Sequence, residues 1–281
     1  MTGLPDDEWR KLLKLAERAR RARRRALVGE GAAQPPDPLH LAHEQGCADL
    51  AHPLGRRVYA PLIARMAARP LTVAQVGQSL DGRIATEGGD SHYINGEGGL
   101  DHLHRLRALA DAVVVGATTV VLDDPRLTTR RVAGPSPVRV IVDPNGRVPP
   151  GRRAFDAAAP TLLLRASHPA TPSSDRADGP IVVPIEGEQG LLPPYRILRA
   201  LHERGLFTVL IEGGAMTIST FLRAGAVDRL HVVVAPLLIG PGRPAFQWPA
   251  IACLEQALRV SMTAHPLGDD VLFDCVCDNP R

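Results

Sequence analysis

The sequence predicts an α/β fold: a mainly parallel central sheet with helices on both faces and an antiparallel hairpin at the C-terminus. Apolar runs of strand length alternate with segments of helical periodicity, which is the pattern of parallel strands joined by crossover helices. Aromatic residues make up only 4% of the 281 residues. We therefore expect a core of Val, Leu, Ile and Ala, as in sheets that are buried on both faces. The closing stretch ALRVSMTAHPLGDDVLFDCVCD has the pattern of the hairpin.

The predicted elements follow one another from residue 70. Strands are predicted at 71–79, 111–117, 138–143, 160–166, 180–185, 207–214 and 229–242. One helix is predicted from Gly99 to Ala110, because Leu103, Leu106 and Leu109 have the spacing of a buried stripe. Two more helices are predicted at 195–205 and 215–225. Each of them ends in a glycine, which favours the left-handed conformation found at helix C-termini.

Residues 1–69 differ in composition from the rest, and we assign them to an N-terminal extension of unknown function that precedes one domain over 70–281. Lys11 to Leu27 predicts a strongly basic helix, which is followed by a Pro/Gly-rich linker. This helix either packs on its own domain or extends into solvent. His40, His43 and Cys47 can meet on a helix. Without a second cysteine or a CxxC pair, we expect no metal site there.

Composition and the N-terminal sequence restrict the partners and the cellular location that we expect for the protein. The formal net charge of +3 does not indicate a nucleic-acid partner. No apolar run is long enough to span a membrane, and the N-terminus lacks the apolar centre and cleavage site of a secretory signal. The four cysteines form no CxxC pair, so we expect a reduced, cytoplasmic protein.

The motifs of several enzyme classes are missing from the sequence. There is no GxSxG, no HExxH, no GxxxxGK[ST] and no zinc-deaminase signature. What remains is a set of glycine-rich strand ends without an evident acid–base pair. Hydride transfer fits this pattern, because the cofactor carries the chemistry and the protein binds and aligns the reactants.

The candidate site lies where predicted strands end, since ligands of open α/β sheets bind outside the carboxyl ends of the strands. Glu212 ends one strand and is followed by Gly213-Gly214 and a helix start that can seat a phosphate. Gly116 ends another strand and is followed by Thr118 and Thr119 and then by the turn 123–125. The alternative interpretation of both segments is structural, namely a tight turn with a solvated glutamate and an ordinary capped helix.

Five motifs resemble the reductase domain of the bacterial bifunctional riboflavin biosynthesis deaminase/reductase family, and together they cover nearly all of 70–281. They are SLDGRIAT, GDSHYING, HRLRALADAVVVGATTVVLDDPRLTTR, PVRVIVDPNGRVP and IEGGAMTISTFLRAGAVDRLHVVVAPLLIGPG. The resemblance implies a dihydrofolate-reductase-like fold, a homodimer and NADPH as cofactor. It also implies reduction of the ribosyl group of 5-amino-6-(5-phosphoribosylamino)uracil to a ribityl chain.

The same resemblance implies residue roles. Glu212 would act at the ribose, by binding its hydroxyls or by stabilising a cationic iminium. The substrate-binding residues would be Ser91, Arg107, Leu127, Arg130 and Glu212. The cofactor-binding residues would be Gly77, Tyr93, Thr119, Asp123, Gly214, Ala215, Met216, Thr217, Ile218, Ser219 and Thr220.

Two departures from the family pattern bear on the function. The residues before 70 lack the zinc motif of the family's deaminase domain, so we do not expect this chain to deaminate. Gln75 stands where the family commonly has a lysine, which leaves the exact substrate open. The alternatives are a reductase of the same fold acting on a pterin or another ribosylamine-type heterocycle, and a non-catalytic nucleotide-binding module. The sequence does not decide between NADPH and NADH.

Overall fold

The computed structural model describes residues 3–28, 50–92, 94–167, 179–188 and 190–277. The helices are α1 (Asp6–Val28), α2 (Ala60–Ala68), α3 (Glu97–Leu109), α4 (Ala117–Asp123), α5 (Pro194–His202) and α6 (Ala215–Arg223). The strands are β1 (Leu71–Ser79), β2 (Arg83–Thr86), β3 (Ala112–Gly116), β4 (Val138–Val142), β5 (Thr161–Ala166), β6 (Ile181–Ile185), β7 (Thr208–Ile211), β8 (Arg229–Ala235), β9 (Gly242–Pro244), β10 (Ser261–Leu267) and β11 (Asp270–Val276). A π-helical turn, Gly55–Tyr59, leads directly into α2.

The central sheet has nine strands in the order β10-β11-β8-β1-β7-β3-β4-β5-β6. Strands β1 and β3 to β8 run parallel, and the hairpin β10–β11 adds antiparallel pairs at one edge. This confirms the predicted parallel sheet and its closing hairpin. The sequence did not predict the small antiparallel sheet of β2 and β9, nor helix α2.

Consecutive apolar residues of the strands supply two separate cores. In β3, Val113 and Val115 pack with α1 to α4 on what we call the first face, and Val114 packs with α5 and α6 on the second face. Because side chains alternate along a strand, an unbroken run of valines fills both cores. The helices therefore cover both faces of the sheet, as predicted.

Helix α1 packs on the first face, which is one of the two alternatives that the sequence left open. Trp9, Leu12 and Ala16 form its buried stripe. Near its C-terminus, Arg20 Nε donates to Asp111 Oδ1 at 3.0 Å and Arg23 Nη2 donates to Asp111 Oδ2 at 2.8 Å. Part of the predicted basic run therefore binds the start of the sheet. The division of the chain at residue 70 remains a prediction.

The remaining sequence predictions in this part of the analysis concern a metal site and a membrane span. His40, His43 and Cys47 lie outside the described residues, so the structure does not bear on the expectation of no metal there. Among the helices of the described ranges, none combines the length and the apolar character needed to cross a bilayer.

Candidate active site

A cleft of about 330 Å³ opens at the carboxyl ends of β3 and β7. These strands are neighbours, but the helices that follow them pack on opposite faces, α4 on the first and α6 on the second. Such a reversal of direction opens a crevice between the two strand–helix turns, which is where ligands of open α/β sheets bind. The cleft volume is in the range of small-molecule sites.

The two turns that form the cleft are joined by reciprocal glycine–threonine contacts. A Cβ on Gly116 would lie 2.6 Å from Thr217 Oγ1, and a Cβ on Gly213 would lie 2.9 Å from Thr119 Oγ1. Gly213 also has a φ of +98°, which disfavours other residues. The Gly214 N–H donates to Thr119 Oγ1 at 3.2 Å, so this threonine fixes the opposite turn instead of capping its own helix.

Polar residues from several segments line the remaining walls of the cleft. Ser91 comes from the glycine-rich loop, Asp123 from the end of α4, Arg147 from the turn after β4, and Arg243 from β9. Burial raises the pKa of the Asp123 carboxyl, with His92 and Arg243 acting in the opposite direction. Both arginines are exposed, and they add positive charge at the cleft.

Glu212 adjoins the cleft through Gly213, and it is not the solvated glutamate of the structural alternative. It accepts two hydrogen bonds from Arg107 of α3, Nε–Oε1 at 2.8 Å and Nη2–Oε2 at 2.7 Å. Both side chains are less than 10% exposed. As the spacing predicts, Arg105 faces another way: it donates to the Leu4 carbonyl and lies over the Trp9 ring. A buried, bidentate pair of this kind fixes the carboxylate with little freedom.

The segment 124–137, which we call the substrate loop because the family resemblance implies that its Leu127 and Arg130 bind substrate, lies against this ion pair. Its Thr128 carbonyl accepts from Arg107 Nη1 at 3.1 Å, and the Arg130 N–H donates to His104 Nδ1 at 2.9 Å. Burial and three neighbouring arginines lower the pKa of His104 to about 3, so the ring is neutral and can accept this bond. Leu127 is buried with a φ of +57°, an uncommon conformation for a branched residue.

The substrate loop concentrates positive charge. Burial lowers the pKa of Arg130, and the nearby guanidinium groups of Arg107, Arg126 and Arg153 lower it further. Arg107 already pairs with Glu212 and Arg153 with Asp124, so an anion that binds here finds its opposite charge mainly at Arg130. The loop is therefore suited to a phosphate.

The SLDG turn that follows β1 has a structural role. The Ser79 hydroxyl donates to Asp81 Oδ1 at 2.6 Å and accepts from the Arg83 N–H at 2.9 Å. Asp81 also accepts from the N–H groups of Ile239 and Gly240. These bonds hold the segment after β8 against the start of β2, and the β2–β9 sheet that follows forms one wall of the cleft.

Gly77 and Gln75 of β1 have different surroundings. Gly77 leaves room for Asn95, since a Cβ there would lie 1.7 Å from Asn95 Oδ1. Gln75 is buried and pairs with His231 of β8. The residue before it, Ala74, pairs with Ile211 of β7. The residue at the family's lysine position is thus buried in the sheet, one residue past the Ala74–Ile211 pair and so level with Glu212 on the neighbouring strand.

The structure places the sequence-predicted site residues in two adjoining groups. The cleft is lined by Ser91, Thr119, Asp123, Gly214, Ala215, Met216, Thr217 and Thr220. The ion pair and the substrate loop contain Arg107, Leu127, Arg130 and Glu212. The other three described residues lie elsewhere: Gly77 lies beside Asn95, Ile218 is in the core of the second face, and Ser219 Oγ accepts from the Gln247 N–H. Tyr93 lies outside the described residues.

Arg147 and Arg243 are cleft residues that the sequence analysis did not identify. Arg147 follows the sequence Pro144-Asn145-Gly146 at the carboxyl end of β4, so its position could have been inferred from the rule that placed the other site residues. Arg243 belongs to the three-residue strand β9, whose sequence carries no periodic signal.

The chain resembles known proteins over most of its length. The profile of the RibD C-terminal domain matches residues 70–265. The 2,5-diamino-6-ribosylamino-4(3H)-pyrimidinone 5′-phosphate reductase of Methanothermobacter thermautotrophicus is 34% identical over 214 residues, covering 73% of this chain and 97% of that protein. The riboflavin biosynthesis protein RibD of Mycobacterium tuberculosis is 34% identical over 203 residues, covering 70% of this chain and 52% of that protein.

The same likeness holds in three dimensions. The structure of RibD from Acinetobacter baumannii has a TM-score of 0.64 and 26% identity, covering 85% of this chain and 67% of that chain. This match confirms the predicted dihydrofolate-reductase-like α/β fold. The chain spans about half the length of the RibD protein from Mycobacterium tuberculosis, but nearly all of the archaeal reductase.

Proposed function

The chain belongs to the RibD C-terminal domain family, and on that premise we propose that it is a reductase of riboflavin biosynthesis. It transfers a hydride from NADPH to the ribosyl group of a phosphoribosylaminopyrimidine and forms the ribityl chain. One observation carries this proposal: seven residues assigned to the cofactor line the cleft, four of the five assigned to the substrate belong to the ion pair and the substrate loop, and the two groups meet at Glu212–Gly214. The reacting atoms of two ligands are brought together where two such groups adjoin.

The residues of the cleft fit a dinucleotide cofactor. Gly214 begins α6, and no side chain caps this helix within the described residues, so its first turn can receive a phosphate. The cradle depends on glycines, since Gly116 and Gly213 have no room for a Cβ. When bound there, the reduced nicotinamide supplies the hydride. We propose NADPH over NADH because Arg147 and Arg243 can pair with a 2′-phosphate.

The residues of the ion pair act on the substrate. The open-chain iminium of an N-glycosylamine accepts a hydride at its anomeric carbon, and the C=N bond becomes a C–N bond. A fixed carboxylate stabilises the positive charge of the iminium, and Glu212 is held by Arg107 for this role. Arg130, whose backbone is held by His104, binds the substrate phosphate.

Two pyrimidines are candidate substrates. One is 5-amino-6-(5-phosphoribosylamino)uracil, the substrate of the bifunctional family. The other is the 2,5-diamino-pyrimidinone after which the archaeal relative is named, and it is favoured by the coverage of 97% of that protein. Both carry the ribosylamine and the phosphate that the proposed site binds. They differ only in the substituents of the pyrimidine ring. The buried Gln75 does not favour one of the two compounds over the other.

The test is NADPH oxidation by the purified chain with each pyrimidine phosphate, with the ribityl product identified by mass. Turnover with either compound supports the proposal, and the ratio of the two kcat/KM values identifies the substrate. Tight NADPH binding without turnover on either compound contradicts it and makes a panel of pterins the next assay. Failure to bind either nicotinamide cofactor indicates the non-catalytic nucleotide-binding module.

We also propose a homodimer formed through the β10 edge of the sheet. Strand β10 is an edge strand of the nine-stranded sheet in the part of the chain that the structure describes, and its Met262 is exposed, as are Leu254 and Leu258 in the segment that precedes it. Exposed apolar groups along a sheet edge favour association. Light scattering of wild type and Met262→Arg tests this: we expect a dimer that the substitution weakens, and a monomeric wild type contradicts the proposal.

A further inference from the structure

We infer that the segment before residue 70 positions the substrate loop, and that Trp9 is the positioning residue. The matched family profile begins at residue 70, so α1, the π-helical turn and α2 lie outside the residues that the profile matches. The change in kinetics that we expect from this inference rests on the proposed function. Its structural basis is independent of the substrate.

The side chain of Trp9 joins α1 to the substrate loop. It is 1% exposed, and its indole Nε1 donates to the Ala133 carbonyl at 2.8 Å, across 124 residues of chain. The ring is held by two neighbours: Tyr59 packs edge-on at 5.6 Å between centroids, and the Arg105 guanidinium lies over the ring at 5.9 Å. A donor whose ring is held by two neighbours specifies the position of its acceptor.

A second contact lies one residue further along the loop. Gly134 has a φ of +137°, and a Cβ there would lie 2.6 Å from Ala108 Cβ of α3 and 3.3 Å from Leu13 Cδ2 of α1. The loop thus passes close to both helices. With α1 absent, α3 alone would contact this part of the loop, and the Ala133 carbonyl would lose its indole partner.

The rest of the loop carries the groups that act on the substrate. Leu127 shares the apolar core of the first face with Trp9 and Leu12, although its φ is unfavourable. A residue keeps such a conformation only when its surroundings specify it fully. Arg107 and Arg130 take their positions partly from Thr128 and His104. A shift of the loop therefore moves the phosphate-binding arginine relative to Glu212.

The test compares Trp9→Phe with Tyr59→Phe. Each variant removes one buried side-chain hydrogen bond made by an aromatic residue of the same segment, since Tyr59 OH pairs with His102 Nδ1 at 2.8 Å. Of these two hydrogen bonds, only that of Trp9 reaches the substrate loop. Steady-state kinetics and hydrogen–deuterium exchange of residues 126–137 are measured for both. Leu13→Ala, which removes the contact at Gly134, serves as a second variant if Trp9→Phe does not fold.

For Trp9→Phe we expect the KM of the pyrimidine phosphate to rise about tenfold, the change that loss of one such bond produces, with the KM of NADPH unaltered. Exchange over 126–137 should become faster. Tyr59→Phe should alter neither, even if it lowers stability equally. Equal kinetic effects of the two variants, or unchanged exchange in Trp9→Phe, overturn the inference. If wild type turns over neither pyrimidine, the proposed function fails, and the exchange comparison alone decides whether Trp9 positions the loop.

Discussion

Arg107 and Glu212 form a buried bidentate ion pair between α3 and the end of β7, with N–O distances of 2.8 and 2.7 Å. The pair joins the two regions of the site, because Arg107 also binds the substrate loop and Glu212 precedes the cleft glycines. Arg107 is therefore committed to protein partners through three of its nitrogens, and the proposed contact with the substrate phosphate falls mainly to Arg130. The ion pair provides the fixed carboxylate that the proposed hydride transfer uses.

Replacing Glu212 by Gln should remove turnover while leaving NADPH binding intact. The neutral amide cannot stabilise a cationic iminium, and we expect kcat to fall by about 100-fold or more. The variant also leaves the Arg107 charge buried without its partner, which costs about 3–5 kcal/mol of unfolding free energy. Steady-state kinetics, cofactor titration and urea unfolding measure these three effects.

The double variant Arg107→Met/Glu212→Met separates activity from stability. Replacing both charges by apolar groups removes the unpaired ion, so stability should return close to that of wild type. Turnover should stay lost, because the carboxylate is missing. Wild-type turnover in Glu212→Gln contradicts a catalytic role of this residue.

Replacing Gly213 by Ala should weaken cofactor binding and stability together. The residue has a φ of +98°, and the new Cβ would meet Thr119 Oγ1 at 2.9 Å. The matched control is Gly205→Ala at the end of α5, where φ is +76° and no atom lies within 4 Å of the new Cβ. The control should lose about 1–2 kcal/mol, which is the cost of the left-handed conformation alone.

The difference in unfolding free energy between the two variants measures the cost of the close contact between the strand–helix turns. We expect a larger loss of stability in Gly213→Ala and a rise of about tenfold in its Kd for NADPH, with an unchanged Kd in Gly205→Ala. Urea unfolding and cofactor titration give both quantities. Identical results for the two glycines contradict a role of the Gly213–Thr119 contact in shaping the cleft.

The sequence predicted the sheet because most strands of the central sheet are largely apolar runs with turn residues beside them. Helix α2 was missed, although Tyr59, Ile63 and Met66 have the spacing of a buried stripe. Strands β2 and β9 are too short for a period to show. Their pairing depends instead on the turn around Asp81, whose partners lie more than 150 residues away.

The site was predictable where local pattern decides it. Strand ends followed by glycines indicated Glu212–Gly214 and Gly116–Thr119, and both line or adjoin the cleft. The pairing of Glu212 with Arg107 was not predictable, because an ion pair between distant segments depends on how the helix packs on the sheet. For the same reason, nothing in the sequence connected Trp9 with Ala133.

Replacing Arg147 or Arg243 by Ala should reduce the preference for NADPH over NADH. A guanidinium–phosphate contact contributes about 1.5–3 kcal/mol, so we expect kcat/KM for NADPH to fall by about 10- to 100-fold and kcat/KM for NADH to change little. Arg199→Ala is the control, because that arginine is exposed on α5 and pairs with Glu203. Equal losses with both cofactors contradict a 2′-phosphate site at these arginines.

Asp81 should stabilise the fold in a pH-dependent way. Hydrogen bonds from the Ser79 hydroxyl, and then from the N–H groups of Gly240 and Ile239, lower the pKa of its carboxyl from 3.8 to about 2. A carboxyl whose pKa is lower in the folded than in the unfolded state binds fewer protons when folded. Its contribution is therefore complete above about pH 4 and is lost as the pH falls to about 2.

The measurement is urea unfolding of wild type and Asp81→Asn at neutral pH and between these two pKa values. Wild type should be the more stable at neutral pH, and the difference should shrink as the carboxylate of the folded protein takes up a proton. Asp269→Asn, on the exposed β10–β11 turn, controls for the loss of one surface charge. A difference in unfolding free energy that stays constant across this pH range contradicts the assignment. The carboxyl of Asp81, which accepts from Ser79, titrates in wild type, whereas the asparagine of the variant does not.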